Sequence, residues 1–336
     1  MQMDNERILV TGSAGFIGSH VCGALLSRGA RVIGVDNLDP YYDPDRKRLN
    51  HDALIGAHPD RFVWHEVDIT GPGTIEKIMC DAGVTGVIHL AAKAGVRPSI
   101  EDPGGYALAN VVGTQRVLSA ASAAGCARVV CASSSSVYGN NTKTPFSEED
   151  SVEHPISPYA ATKRACELIG ETHHHLTGMA VAMLRFFTVF GPRQRPDLAI
   201  SLFLGRVSRG ETISKFGDGT TSRDYTYIDD IVAGVLSAYE RVADHGYRIW
   251  NLGGDHPITL NELIAAVERV VGRGAVIEQK GMQAGDVDRT WADLTRSRAE
   301  LGYAPTTSIE DGMARQFAWM RDVGLVGDQG TGLDDG

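Results

Sequence analysis

The chain has 336 residues, 43% hydrophobic and 22% charged, with a formal net charge of −10. That length and composition suit a globular protein of one large domain or two modest ones. The acidic balance argues against a nucleic-acid partner, and no apolar run is long enough to span a bilayer, so no membrane partner is expected.

Residues 1–7 are polar and run directly into a strand, so no signal peptide is predicted and a cytoplasmic location is expected. Arg7-Ile8-Leu9-Val10 is short and apolar, and Thr11-Gly12-Ser13-Ala14-Gly15-Phe16-Ile17-Gly18 follows at once. An amphipathic helix is predicted over 16–27, closed by Gly29, and a second strand over 31–35, ending in Asp36. The three glycines allow a tight turn, close approach of backbone to a pyrophosphate, and close helix packing; the helix N-terminus attracts the phosphates. Asp36 lies about 20 residues on, where a carboxylate holds adenosine ribose hydroxyls and repels a 2′-phosphate. That predicts NAD rather than NADP. Residues 39–50 read as a loop entering a surface helix, with Arg46-Lys47-Arg48 a solvated face.

The alternation continues. A strand over 62–67 ends in Asp68, a candidate for the adenine edge, and 75–81 is helical. A strand over 84–90 ends in His89-Leu90-Ala91-Ala92, whose small residues let backbone run close to a cofactor. One long helix over 106–124 contains Asn110, and a strand over 128–132 precedes Ser133-Ser134-Ser135-Ser136-Val137-Tyr138-Gly139. Alternating strands and helices imply an α/β fold with a parallel sheet wound on both faces and ligands at the carboxyl ends of its strands. The serine run sits at such an end. Ser157-Pro158-Tyr159-Ala160-Ala161-Thr162-Lys163 then starts a helix, with Ser157 as cap and Pro158 in the first turn. Tyr159 and Lys163 are four residues apart and share a face. A free tyrosine titrates near pH ~10, and an ammonium beside it favours the phenolate. The pair therefore makes a group able to take a proton from an alcohol. The plainer alternative is a packed tyrosine beside a solvated lysine.

A strand over 181–187 runs into Thr188-Val189-Phe190-Gly191-Pro192-Arg193-Gln194-Arg195-Pro196-Asp197, a rigid basic loop. A helix is predicted over 198–208, a glycine-rich turn over 215–223, a strand over 224–228, and a helix over 229–242 with its acids at the N-terminus, as the dipole favours. The strand over 249–252 is read as the last of the first sheet. A helix over 259–271 carries a capping box of Thr259 and Glu262. Residues 279–293 read as extended and polar, 308–321 as a final helix capped by Ser308, and the glycine- and aspartate-rich tail as disordered. Adjacent His173, His174 and His175 point to different faces of a helix, so no metal site is expected. The five cysteines (Cys22, Cys80, Cys126, Cys131 and Cys166) lack Cys-x-x-Cys spacing and mostly lie in apolar runs, which predicts buried free thiols.

With Gly12-x-x-Gly15-x-x-Gly18, the serine run and Tyr159-x-x-x-Lys163 in place, the chain resembles the extended short-chain dehydrogenase/reductase family, and within it nucleotide-sugar epimerases of the UDP-glucuronate 4-epimerase type. The resemblance runs from about Arg7 to Arg321 and also rests on 89–97, 132–139, 184–197, 215–219 and 223–230. It implies a Rossmann-type NAD-binding domain over 1–185 plus about 229–253. A smaller C-terminal α/β domain for the sugar nucleotide is implied over 186–228 and 254–325, with 326–336 as the tail. It implies Tyr159 as base, Lys163 as its electrostatic partner and a nicotinamide-ribose ligand, and Ser134 as the catalytic hydroxyl. Gly12, Gly15, Phe16, Ile17, Gly18, Asp36, Asn37, Asp68, Ile69, Leu90, Ala91, Ala92, Lys93, Asn110 and Phe186 would border NAD. Ser134, Ser135, Ser136, Thr188, Arg195, Lys215, Arg223 and Asp286 would hold the UDP-sugar. Thr188 stands where many relatives carry an asparagine, and Gln283 where related glucose epimerases carry a second pyrophosphate arginine. A homodimer is also implied.

Five functions compete. The leading one is NAD-dependent 4-epimerisation of UDP-glucuronate to UDP-galacturonate through a transient 4-keto sugar, because Arg193 or Arg195 would pair with the C6 carboxylate. A 4,6-dehydratase would carry an Asp-Glu pair among the serines, and a decarboxylase a Glu at Ser136. A UDP-glucose or UDP-N-acetylglucosamine epimerase would not require the basic loop. A non-catalytic NAD-sensing module would not need Tyr159, Lys163 and a serine hydroxyl together.

Overall fold

The computed structural model describes residues 2–281 and 287–326. Its first half alternates: β1 (Arg7–Thr11), α1 (Phe16–Ser27), β2 (Arg31–Asp36), α2 (Pro44–Ala57), β3 (Phe62–Glu66), α3 (Thr74–Ala82) and β4 (Gly86–His89). Then come α4 (Val96–Glu101), α5 (Pro103–Tyr106), a π-helical stretch (Ala107–Val112) and α6 (Gly113–Ala123). β5 (Arg128–Ser134) leads through a 3₁₀ turn (Ser135–Tyr138) towards α7 (Pro158–Thr177) and β6 (Ala180–Phe186). The second half holds β7 (Thr188–Phe190), α8 (Ala199–Arg209), β8 (Thr212–Phe216), β9 (Ser222–Tyr227), α9 (Ile228–Arg241) and β10 (Tyr247–Leu252). It closes with β11 (Pro257–Thr259), α10 (Leu260–Val271), β12 (Val276–Lys280), α11 (Thr295–Leu301) and α12 (Ile309–Asp322).

The expected doubly wound parallel sheet is present, in the order β10-β6-β5-β4-β1-β2-β3. Its central strands are buried on both faces, which is why they read as unbroken apolar runs such as Ile8-Leu9-Val10. β1 lies between β2 and β4, so the chain reverses its winding there. A crevice opens at the carboxyl ends of those strands, where such folds take ligands. The smaller region holds a three-stranded sheet, β11-β9-β7, and a two-stranded sheet, β12-β8, packed with α8, α10 and α12. One apolar cluster runs from Ile8 through Leu184 and Trp250 to Val267 and Met313.

Several boundaries differ from expectation. The single helix expected over 106–124 is interrupted by the π stretch, where Cys166 Sγ donates to the Asn110 carbonyl at 3.2 Å. Lys215 lies in β8 rather than in a turn. β12 falls partly in the stretch read as extended; all five of its residues are exposed, so it lacks the apolar alternation that marks a strand. α11 was not anticipated. Val326, placed in the tail, is buried at 4% exposure. The rest of that tail, 327–336, and Asp286 and Gln283 lie outside the described residues. The cysteines are free, but Cys80 is exposed while the other four are buried. Among the described residues no helix is long and apolar enough to cross a membrane.

Candidate active site

Backbone geometry builds the first wall. Gly12 has φ 70°, and a Cβ there would meet the Ala91 amide nitrogen at 2.8 Å. A Cβ on Gly18 would stand 2.0 Å from the Gly12 carbonyl, so only glycine lets α1 start against this turn. Among the described residues no side chain caps the N-terminus of α1, which leaves its first amides for an anion. Thr11 ties β1 to β4: its hydroxyl accepts from the Leu90 and Ala91 amides at 3.1 Å and meets His89 Nδ1 at 2.7 Å. With two amides on the Thr11 oxygen, its own proton goes to Nδ1. The Nε2–H of His89 then donates to Thr114 Oγ1 at 3.0 Å. Burial, aided by Lys163, lowers the His89 pKa to about 3, consistent with that neutral ring.

The turn opens on a cleft of about 880 Å³. Asp36, at the end of β2, accepts from the Ala14 and Leu38 amides at 3.1 and 2.9 Å. Burial pushes its carboxyl upward, against those amides and Lys47. Asn37 donates to Asp68 at 3.1 Å. Of the residues expected around a cofactor, Asn110 alone stands off the cleft wall. It is buried, and its side chain holds the Lys93 backbone from both sides, at 2.8 and 3.0 Å, and donates to Thr162 at 3.0 Å. Asn110 therefore shapes the wall that Lys93 forms.

The far wall carries chemistry. Ser157 caps α7 by accepting from the Ala160 amide at 3.1 Å, so the helix begins as the sequence implied. Tyr159 and Lys163 both line the cleft; Lys163 is 5% exposed and donates to the Ala132 carbonyl at 2.8 Å. The lysine is thus buried, not solvated. Tyr159 meets Tyr106 edge-on at 6.2 Å. Ser134, at the end of β5, lines the cleft and bonds Ser136 Oγ at 3.1 Å; Ser135 and Ser136 lie just off it. Phe186 and Thr188 complete that side.

The two loop arginines part company. Arg193, at φ 67°, turns to a second cavity beside His20 and Asp229. Arg195 lines the main cleft, with Nε and Nη2 on Asp197 at 3.1 and 3.0 Å and Nη1 on the Ala94 carbonyl at 3.3 Å. Tyr41 lies under its guanidinium at 4.9 Å and also donates to Asp197. Lys215 and Arg223 do not line the cleft; Arg223 bonds its neighbour's carbonyl and Lys215 sits on β8. Lys47 was read as solvated, yet it is 7% exposed, lines the cleft, and donates to the Asp39 carbonyl at 2.7 Å. The spacing of Lys47, His51 and Leu54, all buried on one face of α2, is the signal that would have found it. Tyr42 was also missed. It lines the cleft with a hydroxyl that lacks a partner among the described residues.

The chain is similar to known proteins over most of its length. A relative from Thermodesulfobacterium geofontis, described as UDP-glucuronate 4-epimerase, is 41% identical over 315 residues, covering 94% of this chain and 96% of its own length. UDP-glucuronate 4-epimerase 3 of Arabidopsis thaliana is 42% identical over 93% of this chain and 76% of its own. The solved UDP-glucuronic acid 4-epimerase from Bacillus cereus, in complex with UDP-glucuronic acid and NAD, is 34% identical with a TM-score of 0.87, covering 94% and 99% of the two chains. A family model matches residues 8–253, and on that match and these relatives the chain belongs to the NAD dependent epimerase/dehydratase family.

Proposed function

We propose that the chain is an NAD-dependent 4-epimerase of a UDP-hexuronate, interconverting UDP-glucuronate and UDP-galacturonate. The observation that carries this is the sharing of one cleft by the glycine turn, Asp36, Tyr159, Lys163, Ser134 and Arg195. The relatives named above act on that sugar nucleotide or are solved with it.

The glycine turn and the uncapped α1 fit a dinucleotide pyrophosphate, and Asp36 fits its adenosine ribose. NAD, if bound there, would supply a reversible hydride acceptor for the C4 hydrogen, and inversion would require the 4-keto sugar to turn its other face to it, so no external redox partner would be needed. Tyr159 takes the proton from the 4-hydroxyl and later returns one. Lys163 brings positive charge to the Tyr159 side of the cleft, and Ser134 donates to the 4-oxygen. Residues 1–185 with about 229–253 serve the cofactor; 186–228 with 254–325 serve the sugar nucleotide, and Thr188 and Arg195 from that part reach the cleft. Ser135, Ser136, Lys215, Arg223 and Asp286 remain proposed substrate contacts.

Arg195 answers the uronate charge, since a buried carboxylate without a partner is costly and arginine pairs with it through parallel bonds. Asp197 already holds two of its donors, so the substrate would share the cation. That same pairing favours a second reading, a neutral UDP-hexose as substrate. Incubation with UDP-glucuronate and with UDP-glucose, with products identified by NMR, separates the two. Arg195→Ala should impair uronate epimerisation far more than UDP binding. Normal turnover of UDP-glucuronate by that variant, or wild-type preference for UDP-glucose, would overturn the uronate reading.

We also infer a homodimer in the cytoplasm. Free thiols fit a reducing compartment. The dimer is supported by exposed Val112 on the π stretch and Leu168 on α7, which packs beside it.

A further inference from the structure

Behind the serine turn lies a buried polar chain that the proposed chemistry does not use. Glu167 and Arg185 are 0% and 1% exposed. Arg185 reaches Glu167 through Nε and Nη2 at 2.8 and 2.9 Å, a bidentate pair. Glu167 Oε1 also accepts from Ser133 Oγ at 2.7 Å. Arg185 Nη1 donates to the Tyr138 hydroxyl at 3.0 Å, and that hydroxyl donates to Asn251 at 2.7 Å. Ser133 and Tyr138 immediately flank Ser134–Val137, so one ion pair grips both ends of the turn that carries Ser134. Glu167 itself stands on α7, eight residues after Tyr159 and four after Lys163, on the same helical face.

We propose that the Glu167–Arg185 pair is a clamp that positions Ser134 relative to Tyr159. Burying an ion pair is weak evidence for stability, because apolar residues of similar volume often serve the fold as well. What apolar residues do not supply is direction. The carboxylate takes its place from the helix of the base and passes it to both ends of the serine turn. Glu167, Arg185, Ser133 and Tyr138 are thus positioning residues. This rests on the reading that Ser134 takes part in the reaction.

Tyr138→Phe keeps the ring and removes the hydroxyl; Ser133→Ala releases the other end and leaves the ion pair intact. Each should lower kcat for UDP-glucuronate roughly 10- to 100-fold, as small misplacements at a reacting centre do, with KM and bound NAD near wild type. Tyr239→Phe is the control. Tyr239 is equally buried, and its hydroxyl donates to Glu6 at 3.1 Å, at the amino ends of the central strands β1 and β4, opposite the cleft. It should lower the melting temperature and leave kcat alone. In a Ser134→Ala background Tyr138→Phe should cost nothing further, because the clamp acts through that serine. Wild-type kcat in both Tyr138→Phe and Ser133→Ala, beside a slow Ser134→Ala, would overturn the clamp alone. An undiminished Tyr138→Phe penalty in the Ser134→Ala background would do the same. A Ser134→Ala enzyme at wild-type rate would overturn the role of the serine and the clamp with it.

Discussion

At the scale of the residue, Tyr159 is the sharpest point of the site. It lines the cleft beside a lysine whose ammonium is buried and fixed by the Ala132 carbonyl. Removing its oxygen while keeping the ring isolates the proton transfer. Tyr159→Phe should lower turnover by about 100- to 10,000-fold, the usual scale of general acid–base catalysis, while UDP-sugar binding survives in calorimetry. A loss of only a few-fold would move the proton to another group, with Ser134 the nearest alternative. Lys47 shows how a charged residue escapes a sequence reading. Its stem packs on the inner face of α2 and its ammonium finds the Asp39 carbonyl and the Tyr42 ring, so the charge is satisfied inside the cleft.

Among the elements, α7 and the α5–π–α6 helix hold both the chemistry and the proposed partner surface. Their inner faces carry Lys163 and Asn110; their outer faces expose Val112, Ala161 and Leu168, while Leu108 is exposed at the cleft. Ala161 and Leu168 are seven apart in sequence and share a face of α7, beside Val112 on the neighbouring helix. An apolar stripe on two neighbouring helices suits a second copy of the same face around a two-fold axis. Light scattering should therefore give the mass of two chains, and Leu168→Glu should shift it towards one without unfolding the protein. A wild-type mass of one chain at micromolar concentration would rule the dimer out.

For the whole molecule, buried His51 and His89 and half-buried His20 set a pH dependence. Burial lowers His20 and His51 to about 4 and His89 to about 3. In the unfolded chain each titrates near ~6.5. Below that value the unfolded chain binds protons that the fold refuses, so stability is full above pH ~6.5 and falls as the pH drops. Each histidine contributes up to about 1.4 kcal/mol per pH unit. Asp224 opposes them: burial raises it to about 6, so the fold keeps a proton that the unfolded chain loses above its ordinary range. Asp36, Glu148 and Asp229, which burial also raises, side with Asp224, and His173, which burial lowers, sides with the histidines; between pH 7 and 5.5 the histidines pass through their unfolded titration, so the balance is a net loss. Urea titrations at pH 7 and pH 5.5 should show a lower midpoint at the acid end, and an equal or higher midpoint there would contradict this balance.

What the sequence determined by itself is local. A glycine turn between strand and helix, an acid closing the next strand, a capped helix with Tyr159 and Lys163 one turn apart, and the capping box of α10 all depend on neighbours within a few residues, and all are present in the structure. The alternation of short strands with helices likewise announced a parallel sheet, because parallel neighbours need a crossover between them. The tertiary structure decided what depends on distant partners. Arg195 rather than Arg193 enters the cleft because the backbone reverses at a left-handed residue and Asp197 and Ala94 receive the guanidinium. Lys215 and Arg223 stay off the wall because strand pairing with β12 and β11 places them elsewhere. Asn110 shapes the cleft from behind because a π turn spends its hydrogen bonds on Lys93, Thr162 and Cys166. The Glu167–Arg185 pair joins residues 18 apart in sequence, and its reach to Ser133, Tyr138 and Asn251 exists only once β5, β6, β10 and α7 are packed, since no periodicity records a hydrogen bond between separate elements.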